Sequence, residues 1–508
     1  MSKSYSAERY DAVIVGSGLG GLVCGVILAK EGKKVCILER NKQIGGTLQT
    51  FVRNRIIFDS GVHYVGGLDK GQNLYQLFQY LGIMDKLKLK KMDEDCFDAI
   101  VFKGDPTIYK YAQGYPQFIE SLVNQFPEER EAIQKYCDGI REICSKFPLY
   151  NLRSGDYFEK VGVLEIDTQT FIESLTKNKR LQNVLAGTSM LYAGAPYKTP
   201  LYVHALVVNS YIESAWRFLD GGSQIARLLT REITRRGGVV LKRQEVVSLE
   251  EENGKIAYAE TKEGVRYFGD LFISNVHPVQ TLSMVKADLI KKVYRNRIES
   301  LENSISTFYV NVIMKKDSFK YLNHNYYHFV EDDAWCLLNY DDQSWPKGYA
   351  MFLSAARNNE SYAEAVTLMT YMRYDEVKQW HETFNTVTEE GNRGEDYEHF
   401  KKEKAEKLFD VVEDKFPGFK DAIQSYYAAT PLTLRDYTGT SDGSLYGIAK
   451  DYREPMKTFV SPRTKIPNLY LTGQNLNLHG VLGVTVSAVL TCSEIVGLKY
   501  LLENIRNA

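Results

Sequence analysis

Three glycines, Gly16, Gly18 and Gly21, stand at the spacing that lets a backbone turn face a phosphate. Gly16 makes the tight turn, Gly18 leaves room for a pyrophosphate, and Gly21 lets the next helix lie close to the preceding strand. Leu19 and Gly20 lie in the same turn and are candidate cofactor contacts, just before a helix whose free N–H groups attract an anion. Glu39 follows Gly18 at about the 20-residue spacing at which a carboxylate accepts hydrogen bonds from an adenosine ribose. An acid there repels a 2′-phosphate, so the turn reads as a dinucleotide site and a poor NADP site. Two further runs carry chemistry. In Asp59-Ser-Gly-Val-His-Tyr-Val-Gly66, His63 can exchange a proton near neutral pH, and Tyr64 can stack or donate a hydrogen bond. The same residues can instead only tie a loop together, which is the role Asp59 suggests. In the run from Thr430 to Gly447, Arg435, Tyr437 and Tyr446 sit among Gly439, Gly443 and Gly447. Tyr437 or Tyr446 can give a pocket both an apolar wall and an orienting hydroxyl, or can pack a rigid loop. His324 and His328 are four residues apart, which suits a metal only on a helix, and no metal site is expected.

These groups need elements to hold them. Asp11–Val15 is an apolar strand, Leu22–Glu31 a helix and Lys34–Leu38 a second strand, so a parallel sheet forms at the start of the chain. Leu74–Gly82 and most of Pro116–Leu201 have helical patterning. Gly221-Gly222 precedes a helix that Ser223 can cap, running to Arg236. Val239–Leu241 and Val246–Leu249 are short strands. A hairpin follows about Glu263-Gly264, and Asp270–Asn275 reads as a separate buried strand. Ser304–Met314 alternates as a strand, with further candidates at Tyr349–Ser354 and Val366–Tyr371. The charged stretch Thr388–Lys404 reads as a solvated loop entering a helix near Lys401. Asn468–Thr472 is a late strand, and Gly483 begins a final helix.

At 508 residues, the chain is too long for one ordinary core. Its 63 basic and 64 acidic side chains leave no field that recruits nucleic acid. Seven scattered cysteines form no disulfide framework, and MSKSYSAERY carries no apolar leader. The expectation is a cytoplasmic protein. The 35 tyrosines, against 23 phenylalanines, allow either ordinary packing or an aromatic pocket for a large apolar substrate.

The segment after Glu39, Arg40-Asn-Lys-Gln-Ile-Gly-Gly-Thr47, resembles that of glutathione-reductase-type flavoproteins. That resemblance makes the ligand FAD. It brings Gly45 and Gly46 near the nucleotide and lays Arg40 along it, although a surface arginine is the plainer reading. It also adds Val246, Gly473, Gln474, Gly483 and Val484 as cofactor contacts, with the last helix start facing the flavin. Gln474 departs from the pattern, since many such proteins carry an acid there. Together with Asp59–Gly66, Gly221-Gly222, Asp270–Pro278, Thr430-Pro-Leu-Thr433 and Pro462–Gly473, nearly the whole chain is similar to the phytoene desaturase and carotenoid isomerase flavoprotein superfamily. It is most similar to the all-trans-retinol 13,14-reductase branch.

The resemblance implies an α/β protein. A Rossmann-like FAD domain is assembled from discontinuous segments (1–75, 215–290 and 455–508), with a mixed-sheet and helical substrate domain in the intervals (76–214 and 291–454). It implies an FAD-dependent oxidoreductase that saturates or desaturates C=C bonds of an apolar polyene, by hydride transfer at flavin N5. NAD(P) is a candidate electron partner, and contact with a membrane would be peripheral. The alternatives are redox-neutral cis-trans isomerisation, amine oxidation, or a flavoprotein that binds lipid without chemistry.

Overall fold

A computed structural model describes residues 8–286, 289–356, 359–387 and 391–508. Residues 388–390, the start of the charged stretch, lie outside the described residues, as do residues 1–7. The stretch enters its helix earlier than expected, at Glu395–Lys415.

Among the described residues, two seven-stranded sheets organise the chain. In the first, Val239–Lys242, Val35–Glu39, Arg9–Val15 and Arg266–Ser274 lie side by side and parallel. The helix Leu19–Lys30 crosses between two of them. It is buried from Leu19 to Ala29, which explains the absence of an apolar stripe: a helix covered on every side needs no polar face. Its covers are Ser223–Arg235 and Gly480–Val496.

The second arm of the expected hairpin and the separate strand expected near 270 are one nine-residue strand, Arg266–Ser274. Its first half pairs antiparallel with Lys255–Thr261, and its second half pairs parallel with Leu469–Leu471. A single strand thus carries the meander Val246–Thr261 at one end and the C-terminal segment at the other. Ser223 is the first helical residue, not the cap, and the cap position is Gly222. The Ser223 hydroxyl instead accepts from Thr50 and Arg227.

The second sheet runs Ile423–Ala429, Ser306–Met314, Asn359–Met372, Gly348–Ala356, Asn325–Phe329, Asp98–Phe102, Tyr109–Tyr111. Ser306–Met314 is buried at all nine positions, so its alternation is not one of core against water. Its residues divide between two cores. Phe308, Val310, Val312 and Met314 pack with Leu408, Phe409 and Val412 of the helix Glu395–Lys415. Tyr309 joins Tyr327, Phe352, Met369 and Tyr371 on the other face. The period of two therefore divides the tyrosines of this sheet, with Tyr309, Tyr327 and Tyr371 on one face and Tyr326 and Tyr349 on the other.

Val65–Gly66, Ala215–Phe218 and Leu89–Lys91 form a small third sheet that joins the two larger units. Gly66 sits where this sheet meets the helix Leu201–Glu213. A Cβ there would lie 2.3 Å from the Ser210 carbonyl oxygen, which is backbone and cannot swing aside. Gly66→Ala is expected to lower stability by about 1–3 kcal/mol, the cost of overpacking. A denaturant melt checks this, and an unchanged midpoint would contradict the packing described.

Candidate functional site

The glycine turn and the end of the last strand converge on one side chain, Asn275. A Cβ on Gly18 would lie 2.7 Å from its Nδ2, and one on Gly20 2.5 Å from its Oδ1. A Cβ on Gly473 would lie 2.7 Å from the same Oδ1. Gly473 also has φ +100°, which excludes most other residues. Gly18 bridges Gly45 in parallel, and a Cβ on Gly46 would come within 3.3 Å of the Gly18 Cα. On Gly21, a Cβ would lie 2.2 Å from the Gly16 carbonyl. Backbone from three distant segments is thereby packed at the start of one helix, where a pyrophosphate needs close approach.

Glu39 ends its strand buried, not facing solvent. Its Oε2 accepts from the Ser17 N–H at 3.1 Å and the Ser17 hydroxyl at 2.6 Å. Its Oε1 accepts from the Asn41 N–H at 2.8 Å. The carboxylate is thus fixed against the glycine turn. Gln244 donates its N–H to the Glu39 carbonyl at 2.8 Å, which brings Val246, two residues on, to the same end of the sheet.

Three expectations need correction. Arg40 does not lie free along a nucleotide: its Nη2 donates to the Asp436 carbonyl, capping the end of the helix Pro431–Thr438. Tyr437 lies on that helix with its hydroxyl accepting from the Val387 N–H, away from the cavities described below. The last helix begins at Gly480, so Gly483 and Val484 lie one turn inside it. Gly483 is small because Leu478 folds back over that turn, and a Cβ would lie 2.7 Å from the Leu478 Cβ. Gln474 lines a cavity of about 540 Å³.

A second cavity, of about 470 Å³, lies between the tyrosine face of the second sheet and the start of the last helix. His63, Tyr64, Tyr211, Tyr309, Phe352 and Tyr446 are in its wall. His63 stacks on Phe352 with centroids 4.3 Å apart. Burial, and then the nearby Arg217 guanidinium, pushes its pKa down to about 3. Burial thus favours the neutral ring at physiological pH, against the proton exchange expected from the sequence.

Tyr64 stacks on Tyr211 at 4.4 Å and donates to Asp98 Oδ2 at 2.8 Å. Its hydroxyl also meets that of Tyr327 at 2.7 Å, and Asn325 donates to Asp98 Oδ1 at 2.8 Å. Burial pushes the Asp98 carboxyl up to about 7 against these hydrogen bonds. The Tyr446 ring packs tilted against His479 with centroids 4.2 Å apart, and its hydroxyl donates to the Met190 carbonyl at 2.7 Å. Asp59 accepts from the Gly222 N–H at 2.7 Å and so orders its loop. His328 lies on the strand Asn325–Phe329 and His324 just before it, so the pair is not helical.

Sequence reasoning missed Asp98, Tyr327, Ser17 and Lys450. Asp98 left a signal, a charge entering an apolar strand, while Ser17 stood unremarked inside the glycine set. Lys450 left none.

A glycine-cradled parallel sheet joined to a tyrosine-faced mixed sheet defines a two-domain, FAD-binding oxidoreductase fold. Residues 19–496 match the flavin containing amine oxidoreductase family, and the chain belongs to it. It is 27% identical to the all-trans-retinol 13,14-reductase of Rattus norvegicus, over 97% of this chain and 87% of that protein. It is 24% identical to prolycopene isomerase 2, chloroplastic, of an Oncidium hybrid cultivar, over 96% and 84%. A crystal structure of an oxidoreductase from Methanosarcina mazei superposes with a TM-score of 0.65 at 14% identity, covering 96% of this chain and all of that one.

The glycine surface and the buried Glu39 fit FAD. Glu39→Ala is expected to weaken FAD binding about 10- to 100-fold, the value of hydrogen bonds to a charged group, and Glu39→Gln to weaken it less. Titration of apoprotein with FAD checks this, with circular dichroism confirming the fold. Equal affinity in all three proteins would reject a ribose role.

Proposed function

We propose that the protein saturates or desaturates C=C bonds of an apolar, retinoid- or carotenoid-like polyene with FAD as its redox group. The observation that carries this reading is the tyrosine cavity. Its lining extends from the start of the last helix to Lys160, Pro455, Met456 and Phe459, and we take this end, where Met456 is exposed, as its mouth. Such an enclosure, walled largely by aromatic and aliphatic side chains, suits an uncharged apolar chain better than a small charged amine. The likeness to the rat all-trans-retinol 13,14-reductase and the Oncidium prolycopene isomerase supports the same substrate class.

Gly16, Gly18, Gly20, Gly45, Gly46 and Gly473 would hold the diphosphate, and Glu39 the ribose. Bound FAD supplies a hydride donor or acceptor at N5. The chain's own residues do the rest. Phe352, Tyr309 and Met369 exclude water and orient the chain. Neutral His63 contributes a flat wall. Tyr64 is the proton-carrying group in this wall, with Asp98 behind it as the proton reservoir and Tyr327 donating to the tyrosine oxygen. In the saturating direction an external reductant is required, and NAD(P)H is the candidate.

Product mass tests the reading. Saturation adds two hydrogens, while isomerisation leaves the mass unchanged. Flavin reduction by amines, without polyene turnover, would overturn the substrate assignment. Tyr64→Phe is expected to retain FAD and slow polyene conversion about 100-fold or more, as removal of a proton donor does. A Tyr64→Phe protein of unchanged rate would remove the hydroxyl from the mechanism.

The mouth also supports peripheral membrane contact by a cytoplasmic protein. Beside it, Phe158 is 77% exposed and Met456 57%, with Val161 also exposed. Lys160 lines the opening. Among the described residues no helix is long and apolar enough to cross a membrane. Paired substitution of Phe158 and Met456 by Asp is expected to reduce sedimentation with anionic phospholipid vesicles, leaving FAD content unchanged. Equal sedimentation of both proteins would remove the mouth as the contact.

A further inference from the structure

The amine of Lys450 is a nucleophile that the redox reading leaves unused. Lys450 follows Tyr446 by four residues on the run that closes the tyrosine cavity, and its side chain lines both cavities. Tyr446, Asn477, Leu478 and His479 are shared by the same two walls.

Nζ donates to the Thr458 carbonyl at 2.9 Å and the Leu476 carbonyl at 3.1 Å. Among the described residues, no carboxylate pairs with it. The nearby titratable group, His479, donates Nε2–H to the Leu191 carbonyl at 2.8 Å, and burial pushes its pKa down to about 4. That keeps the ring neutral, and a histidine in either state supplies no negative charge. An ammonium has three donors and, when buried, needs a counter-ion. This site offers two acceptors and no counter-ion. A neutral amine has two donors, which the two carbonyls match, and one lone pair left over. Burial accordingly pushes the Lys450 pKa down to about 7, where an appreciable fraction is the nucleophilic free base.

We propose that Lys450 is a covalent docking point for an apolar aldehyde, whose carbonyl carbon it captures as an imine. The lone pair forms the C–N bond. The carbonyl oxygen then leaves as water with the two amine hydrogens, beside the two carbonyls that the amine had been donating to. No oxidant or reductant is required, and hydrolysis reverses the step. The missing carboxylate suits a neutral imine better than a protonated one. The proposal rests on the reading that the tyrosine cavity holds an apolar chain, and adds that one end of that chain bears an aldehyde.

The test treats the FAD-loaded protein with dodecanal and sodium cyanoborohydride, which reduces an imine to a stable secondary amine. The expected result is a mass gain equal to the aldehyde less one oxygen atom, mapped to the peptide carrying Lys450. The gain should be lost in Lys450→Arg, with circular dichroism and the flavin spectrum reporting that variant's fold. Labelling confined to surface lysines in the wild-type protein would overturn the proposal whatever the variant does. Quenching of tryptophan fluorescence by a polyene hydrocarbon separates the two readings. If the hydrocarbon binds and Lys450 stays unlabelled, the imine falls and the cavity reading stands. If neither binds, both fall.

Discussion

The contact on which the rest depends is the packing of Asn275 against Gly18, Gly20 and Gly473. It joins positions from the beginning, middle and end of the chain. None of the three glycines can carry a side chain without displacing the asparagine amide. The strand Arg266–Ser274 delivers Asn275 to this point because it is held on both sides: by Arg9–Val15 along its length, and by Leu469–Leu471 at its end. A discontinuous domain becomes one surface only when such a strand fixes all its segments in register.

The substrate side obeys a different constraint. The second sheet is buried on both faces, so its period of two separates two apolar cores instead of core from water. One core is aliphatic and aromatic packing against the helix Glu395–Lys415. The other presents tyrosines to a cavity. Three buried hydroxyls of this core have partners: Tyr64 in Asp98, Tyr446 in the Met190 carbonyl, Tyr371 in the same carbonyl. Outside the cavity, Asp436 is fully buried between Arg393 and Arg435. This clasp holds the helix Pro431–Thr438 whose end Arg40 caps, and so ties the dinucleotide domain to the substrate domain.

The dinucleotide half was legible because its signals are local. A strand, three spaced glycines, a helix and an acid within one short stretch have few other uses, and the structure packs Glu39 against that turn. Gly473 and Asn275 are hundreds of residues away, so only a likeness to other flavoproteins pointed to them, and the contact between them left no trace in spacing. Tyr437 and Tyr446 looked equivalent in one turn-rich run. The helix Pro431–Thr438 turns the first toward Val387, and the loop after Gly439 turns the second inward. His63 was read at its solution pKa, and burial, which sequence does not report, removed that role. Asp98 and Lys450 belong to no motif. Their chemistry arises from what the fold places around them: Tyr64 and Asn325 in one case, two carbonyls and no acid in the other.

The most direct measurement mixes the anaerobic, fully reduced flavoprotein with a conjugated polyene in a stopped-flow spectrophotometer. The account predicts that the oxidised flavin band appears at a rate that rises with polyene concentration. A protein that holds FAD stoichiometrically, but whose reduced flavin spectrum stays unchanged at every polyene concentration and whose oxidised flavin is not reduced by the saturated product, would contradict it.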